Sequence, residues 1–360
     1  MIINSIQQGR NTPPIPVQKS SARQSNIELL RIISMFLVML VHSMEGSLGR
    51  PMTEDLVNSP VDVICRVNLE TLGLVCVNVF VLISGWFGIK CTMKGAVKFI
   101  YQCLFMAFAV VAFLAVMHTD MTWKDLVKDI ASPKNWWFVY AYFTLYILSP
   151  ILNMFIEQVS RRAFRNILIV FFGFQTIYGF LYSLPYFAKG YSPLSFIGLY
   201  LLARYIHIYS PEITKFSCRA CALGYVEVSV ILSFIMCLLL WKLPWHGLLG
   251  MLFDWYVSYT SPLNITASIL LLLCFSKMKI QSSWINKIAA SSFAVYLIHN
   301  HPAIHHGYFK PFVIWLHENY SLYSFFILLG IFLVVLFLLC CVVDRIRIFT
   351  YRKISLWLKV

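Results

Sequence analysis

The chain has 360 residues, 59% of them hydrophobic and only 12% charged, with a formal net charge of +14. A water-soluble domain carries about twice that share of charged residues, so the composition excludes an ordinary soluble globular protein. The apolar residues fall in blocks of the roughly 20 residues that a spanning helix requires, and the blocks consume most of the chain.

In chain order, residues 1–25 hold Pro13, Pro14 and Pro16 among polar residues, without an apolar run. That composition predicts a disordered cytoplasmic tail rather than a cleaved signal. Hydropathy then places spans near 26–44, 71–89, 97–117, 136–156, 166–185, 195–209, 223–241, 260–276, 288–304 and 321–343. The expected fold is an all-α integral membrane bundle of about ten transmembrane helices, with 26–345 as one membrane domain and 346–360 as a basic cytoplasmic tail. Residues 245–259 are only moderately apolar. A full span there would reverse every later helix, so the segment is expected to lie at the outer interface or to re-enter.

Charge orients these spans. With the N-terminus in the cytoplasm, most of the 29 Lys and Arg residues fall in inner segments, among them Arg161, Arg162, Arg165, Lys277, Lys279, Arg345 and Arg352. Acidic residues such as Glu45, Asp62 and Asp254 fall outside. The positive-inside rule then predicts both termini in the cytoplasm of a plasma (inner) membrane. The basic surplus is read as an orientation signal and not as a nucleic-acid footprint. Ten cysteines lie mostly in or beside spans, where a free Cys behaves as a small apolar residue. Cys218 and Cys221 form an isolated C-x-x-C without a second half, and no metal site is expected.

Ionisable groups inside spans are costly and therefore point to function. The first span carries Glu28, Arg31 and His42. At about 100° per residue, His42 lies about 20° round from Arg31, and Glu28 within about 60° of Arg31 and 40° of His42. All three share one face, which must point into the bundle. Along the axis Arg31 and His42 are about 16 Å apart. Glu28 and Arg31 also suit a plain interfacial ion pair, and His42 suits a hydrogen bond to a neighbouring helix. The combination on one face favours function.

Other residues invite the same two readings. His299 sits in the ninth span and is either a helix–helix contact or a substrate-binding group. Arg204, in the sixth, either snorkels to the cytoplasm or binds substrate. Ser84-Gly85 reads as a small-residue packing site, with Ser84 as a substrate-contact candidate. His305 and His306 are expected in a solvated outer loop. The run from Trp136 to Tyr142 is an interfacial aromatic belt by default, and Trp137 and Tyr140 are also candidates to stack on sugar C–H faces.

The stretch Asn26 to His42 resembles the opening helix of the membrane-bound acyltransferase family three, with its acidic residue, Arg three later and His eleven beyond. FVLISGWF (80–87), NWWFVYAYFTLYILSPILN (135–153), SPLNITASILLLLCFSKMKI (261–280) and SSFAVYLIHNHPAI (291–304) are similar to later helices of that family, in order. The resemblance implies transfer of an acyl group, usually acetyl, from a coenzyme A donor such as acetyl-CoA to a hydroxyl of a polysaccharide or lipid-linked glycan. On that analogy His42 is catalytic, Arg31 is an essential partner contacting the donor, and Glu28 orients Arg31. Physical chemistry agrees. A neutral His can accept the proton of an attacking hydroxyl or carry the acyl group itself, and Arg suits a phosphate-bearing donor. The competing reading is a transporter or flippase of lipid-linked sugars, in which the same intramembrane groups would bind cargo.

Overall fold

The computed structural model describes residues 23–117, 122, 124, 136–242 and 246–357, so most of the expected N-terminal tail lies outside the described residues. Every regular element among the described residues is helical. In chain order the principal helices are α1 (Ser25–Ser43), α2 (Pro60–Gly73), α3 (Cys76–Phe87), α4 (Met93–Val116), α5 (Trp137–Gln158), α6 (Arg161–Phe174) and α7 (Pro193–Tyr209). There follow α8 (Cys218–Lys242), α9 (His246–Tyr256), α10 (Pro262–Ser276), α11 (Ser283–Ala289), α12 (Ser292–His299), α13 (Lys310–Asn319) and α14 (Leu322–Trp357).

Among the described residues, seven helical stretches are long and apolar enough to cross a bilayer: Ser25–Leu48, Pro60–Phe87, Met93–Val116, Trp137–Gln158, Arg161–Leu181, Cys218–Lys242 and Leu322–Ile354. The protein is a multi-pass membrane protein. The other expected crossings are shorter or interrupted. α7 has 17 residues and α10 has 15, about 26 Å and 23 Å of helix. α10 is buried along most of its length, so neighbouring helices rather than lipid cover it. The expected span at 288–304 is broken into α11, α12 and a short turn beginning at Pro302. The 11 residues of α9 extend about 17 Å, too short to cross alone.

Two boundaries differ from the hydropathy reading. Helix begins at Pro60 rather than near 71, because Asp62, Arg66 and Glu70 are partnered inside the protein. Arg66 Nη1 lies 3.5 Å from Asp62, its Nη2 donates to the Gly49 carbonyl at 2.7 Å, and Glu70 accepts from the Glu45 N–H at 3.2 Å. Helix α14 likewise runs past 343, through a buried Asp344–Arg347 pair at 2.8 Å, so the expected tail begins as helix.

Helix ends follow ordinary capping rules. Thr92, Ser160, Ser192 and Ser282 each cap a helix by accepting a backbone N–H. Pro193 and Pro262 sit in the first turns of α7 and α10. Within α5, Pro150 removes the N–H that would bond the Tyr146 carbonyl. The Ser149 hydroxyl donates to that oxygen instead, at 2.8 Å.

Helices α3 and α7 cross closely at Gly85. A Cβ on Gly85 would stand 2.6 Å from the Tyr200 carbonyl oxygen and 2.7 Å from Ala203 Cβ, the small-residue contact expected of Ser84-Gly85. Below the crossing, Tyr200 donates to Asn153 Oδ1 at 2.6 Å, while Asn153 donates to the Ile89 carbonyl at 2.9 Å. These bonds tie α3, α5 and α7 together at one end. Gly85→Ala is expected to destabilise the protein by about 1–3 kcal/mol, the usual cost of overpacking. Thermal unfolding in detergent measures this, and an unchanged midpoint would contradict the close crossing.

Candidate active site

Helix α1 is the spine of the site. Its start is anchored by Asn26, whose side-chain N–H donates to the Phe275 carbonyl at 2.9 Å. The face carrying Arg31 and His42 opens into a cavity of about 680 Å³. Arg23 and Arg31 line one end of it, Glu45, Arg50 and Lys189 line the other, and Val38, His42, Phe80, Ser84, Trp137 and Tyr142 lie among the walls between.

At the first end, Glu28 is buried and holds two cations. Its carboxylate lies 2.9 Å from Arg31 Nη1 and 3.7 Å from Arg23 Nε. The expected ion pair is present, yet Arg31 still lines the cavity. Two guanidiniums against one carboxylate leave this mouth with a net positive charge.

Farther along α1, His42 meets His299 of α12, with Nδ1 and Nε2 3.0 Å apart. The expected helix–helix contact of His299 is therefore a contact with the candidate base itself. Donor and acceptor accounting assigns the protons. His299 Nδ1 lies 2.7 Å from the Val295 carbonyl, which can only accept. With both rings neutral, His299 Nδ1 carries its proton and its Nε2 accepts from His42 Nδ1. The lone pair on His42 Nε2 then remains for the cavity. A third imidazole, His305, stands 5.7 Å from the His42 ring and stacks on Phe309 at 5.4 Å. The expectation of a solvated loop for His305 is corrected. Residues 305–309 form a π-helical turn that folds His305 inward, where it is buried. Burial pushes the His305 imidazole below its ordinary pKa, with the neighbouring His306 acting in the same direction. Among the described residues, no group of three His, Cys, Asp or Glu side chains is placed to hold a metal.

The other candidates separate. Ser84 lines the cavity and hydrogen-bonds the Tyr142 hydroxyl at 3.2 Å. Trp137 lines it too, whereas Tyr140 is 62% exposed and lies off the inward stripe formed by Phe138, Ala141 and Leu145. Tyr142, two residues on, takes the place expected for Tyr140. Arg204 is not among the cavity walls. It donates to the Trp86 carbonyl at 3.3 Å and lies against Gly88, a cation at the C-terminal end of α3 where the helix dipole favours it. Sequence reasoning missed Arg50, Lys189, Tyr191 and Tyr259, which come from loops or from the ends of helices remote in the chain. Only the α5 periodicity could have preferred Tyr142 to Tyr140.

The comparisons with known proteins agree with this architecture. The acyltransferase domain profile of acyltransferase family 3 matches residues 24–344, nearly the whole membrane domain. The chain belongs to that family, and it is a membrane acyltransferase. No curated protein and no solved structure matches it.

The His42–His299 geometry has a direct consequence. His299→Phe is expected to lower turnover about 10²-fold, at the low end of what a positioned base contributes, with KM values little changed. The ring of His42 would remain but lose its fixed tautomer. Steady-state kinetics with unaltered kcat would contradict the proton assignment.

Proposed function

We propose that the protein transfers an acyl group, specifically acetyl, from a coenzyme A thioester to a hydroxyl of a cell-surface polysaccharide or lipid-linked glycan. The observation that carries the reading is one continuous cavity that holds both a cationic mouth at Arg23 and Arg31 and the His42 base, about 16 Å farther along α1. In this reading the bundle crosses the inner membrane about ten times with both termini cytoplasmic, as the distribution of Lys and Arg supports. The Arg31 end then opens to the cytoplasm, where coenzyme A thioesters occur, and the Glu45 end opens outward.

Arg31 and Arg23 suit the donor phosphates, since guanidinium groups make charge-assisted pairs with them. Glu28 orients both without neutralising both. The flexible arm of the donor runs along the wall that carries Ser84 and Tyr142, whose hydroxyls suit its amides, and delivers the thioester toward His42. The His42 Nε2 lone pair accepts the proton of the acceptor hydroxyl as its oxygen attacks the thioester carbonyl. The new C–O bond forms, the C–S bond breaks, and the departing thiolate takes the proton from the imidazolium. His299 keeps the imidazole in the tautomer that this step requires.

The test uses membranes containing the protein, labelled acetyl-CoA and extracted glycan. Label in glycan that falls by at least about 10²-fold in His42→Ala supports the base, and wild-type incorporation in that variant would sink it. Movement of a lipid-linked sugar without label would favour transport instead. Arg31→Ala is expected to raise the donor KM about tenfold or more, the scale of one charge-assisted hydrogen bond, while leaving the acceptor KM in place. An unchanged donor KM would remove Arg31 from the donor site.

A further inference from the structure

The cavity end beyond His42 carries a cluster that the transfer step does not use. α1 passes into a π turn, Met44–Leu48, in which the Ser47 hydroxyl donates to the His42 carbonyl at 2.7 Å. That turn brings Glu45 to the cavity wall, and Arg50 follows it. Arg50 is held on three sides: Nε is 2.6 Å from Glu45, Nη2 is 3.0 Å from Asp254 of α9, and the guanidinium lies 4.9 Å from the centre of the Phe253 ring. Lys189 Nζ is 2.8 Å from the other oxygen of Asp254. Each oxygen of Asp254 thus holds a different cation. Burial alone would raise the Asp254 pKa, but the Lys189 and Arg50 contacts outweigh it and hold the carboxyl below its ordinary value.

Lys189 reaches Asp254 from a strained backbone. Ala188, Lys189 and Gly190 have φ of 43°, 54° and 98°, a left-handed run that is unfavourable for the two non-glycine residues. Such strain persists where surrounding contacts fix it, and it gathers at binding sites. Here the Tyr259 N–H donates to the Lys189 carbonyl at 3.0 Å. Gly190 is required, since a Cβ would meet Tyr259. The same turn delivers Tyr191, whose ring lies 4.4 Å from Trp137 at an angle of 63°. The result is an aromatic wall facing the cavity together with a frame of two carboxylates and two cations.

We infer that this end of the cavity is the acceptor subsite and that it is built for an uncharged sugar ring, with Trp137 and Tyr191 against its C–H face and Glu45, Arg50 and Lys189 on its hydroxyls, while Asp254, outside the cavity walls, holds the two cations in place. The inference rests on the transfer reading above. The chemistry follows from the balance of charge. Each cation is already matched by a carboxylate, so the frame offers little net attraction to an anion. An acidic sugar would have to take Arg50 or Lys189 from Asp254 and leave that carboxylate without its partner. Neighbouring sugar hydroxyls each donate and accept, and fixed donors beside fixed acceptors match them without disturbing the frame. Glu45 lies one helical turn beyond His42, which keeps the subsite next to the base.

The full-length protein in lipid nanodiscs is supplied with labelled acetyl-CoA and two acceptor panels. One panel holds uncharged gluco-, galacto- and manno-configured oligosaccharides, and the other holds oligouronates of matched length. Transfer to an uncharged acceptor is expected, with a KM that changes less than twofold between low and high salt, since screening acts on net charge. Asp254→Asn and, separately, Tyr191→Ala are expected to raise the acceptor KM at least tenfold while the donor KM stays within twofold. Preference for oligouronates with a salt-sensitive KM, acylation of neither panel, or an unchanged acceptor KM in both variants would overturn the subsite. Retention of labelled acetyl-CoA by the nanodiscs is measured alongside. Its loss would strike the transfer reading itself, whereas intact donor binding with any of those outcomes strikes the uncharged-sugar subsite alone.

Discussion

Polar atoms at bilayer depth must find partners within the protein, because hydrocarbon supplies none. This constraint organises the molecule around α1. Its polar face cannot look at lipid, so neighbouring helices close over it and each ionisable group acquires a defined partner. Glu28 takes Arg23 and Arg31, and His42 takes His299. The chain of donors ends at a helix carbonyl, Val295. A backbone carbonyl cannot reverse its role, so the tautomers along the chain are set by an ordinary α-helical oxygen.

The same requirement explains the breaks in regular structure. α12 ends at His299, the following turn rises through Pro302, and the π turn at 305–309 folds His305 and Phe309 back against the histidine pair. α1 itself changes to π geometry after Ser43, the residue that follows His42. Single π turns widen a helix and often accompany functional sites. Here they flank the imidazoles from both sides and let backbone and side chains converge where continuous α-helices would diverge.

Charge is arranged differently at the two ends of the cavity. Two guanidiniums share one carboxylate beside Glu28, which leaves cationic character suited to an anionic ligand. At the far end Glu45, Arg50, Asp254 and Lys189 compensate one another. One helix, α1, runs from the first environment toward the second, with the candidate base between them. The polypeptide thereby separates a site with net charge from one without, using residues a few turns apart.

Much of this was legible without coordinates. Composition and block length determined an all-helical membrane protein, and the 11-residue spacing of Arg31 and His42 placed both on one face, since helical periodicity is local and bilayer depth forces such a face inward. Hydropathy failed where charges were satisfied by partners inside the protein, as at Arg66 and Asp344, because a transfer scale treats every charge as unpaired. Tertiary structure alone decided that His299 partners His42, that Tyr142 rather than Tyr140 lines the cavity, that Arg204 caps α3 outside it, and that His305 is buried. Those outcomes depend on how helices far apart in the chain rotate and cross. The rotations are set by close contacts such as Gly85 against Tyr200, which no spacing along one helix encodes.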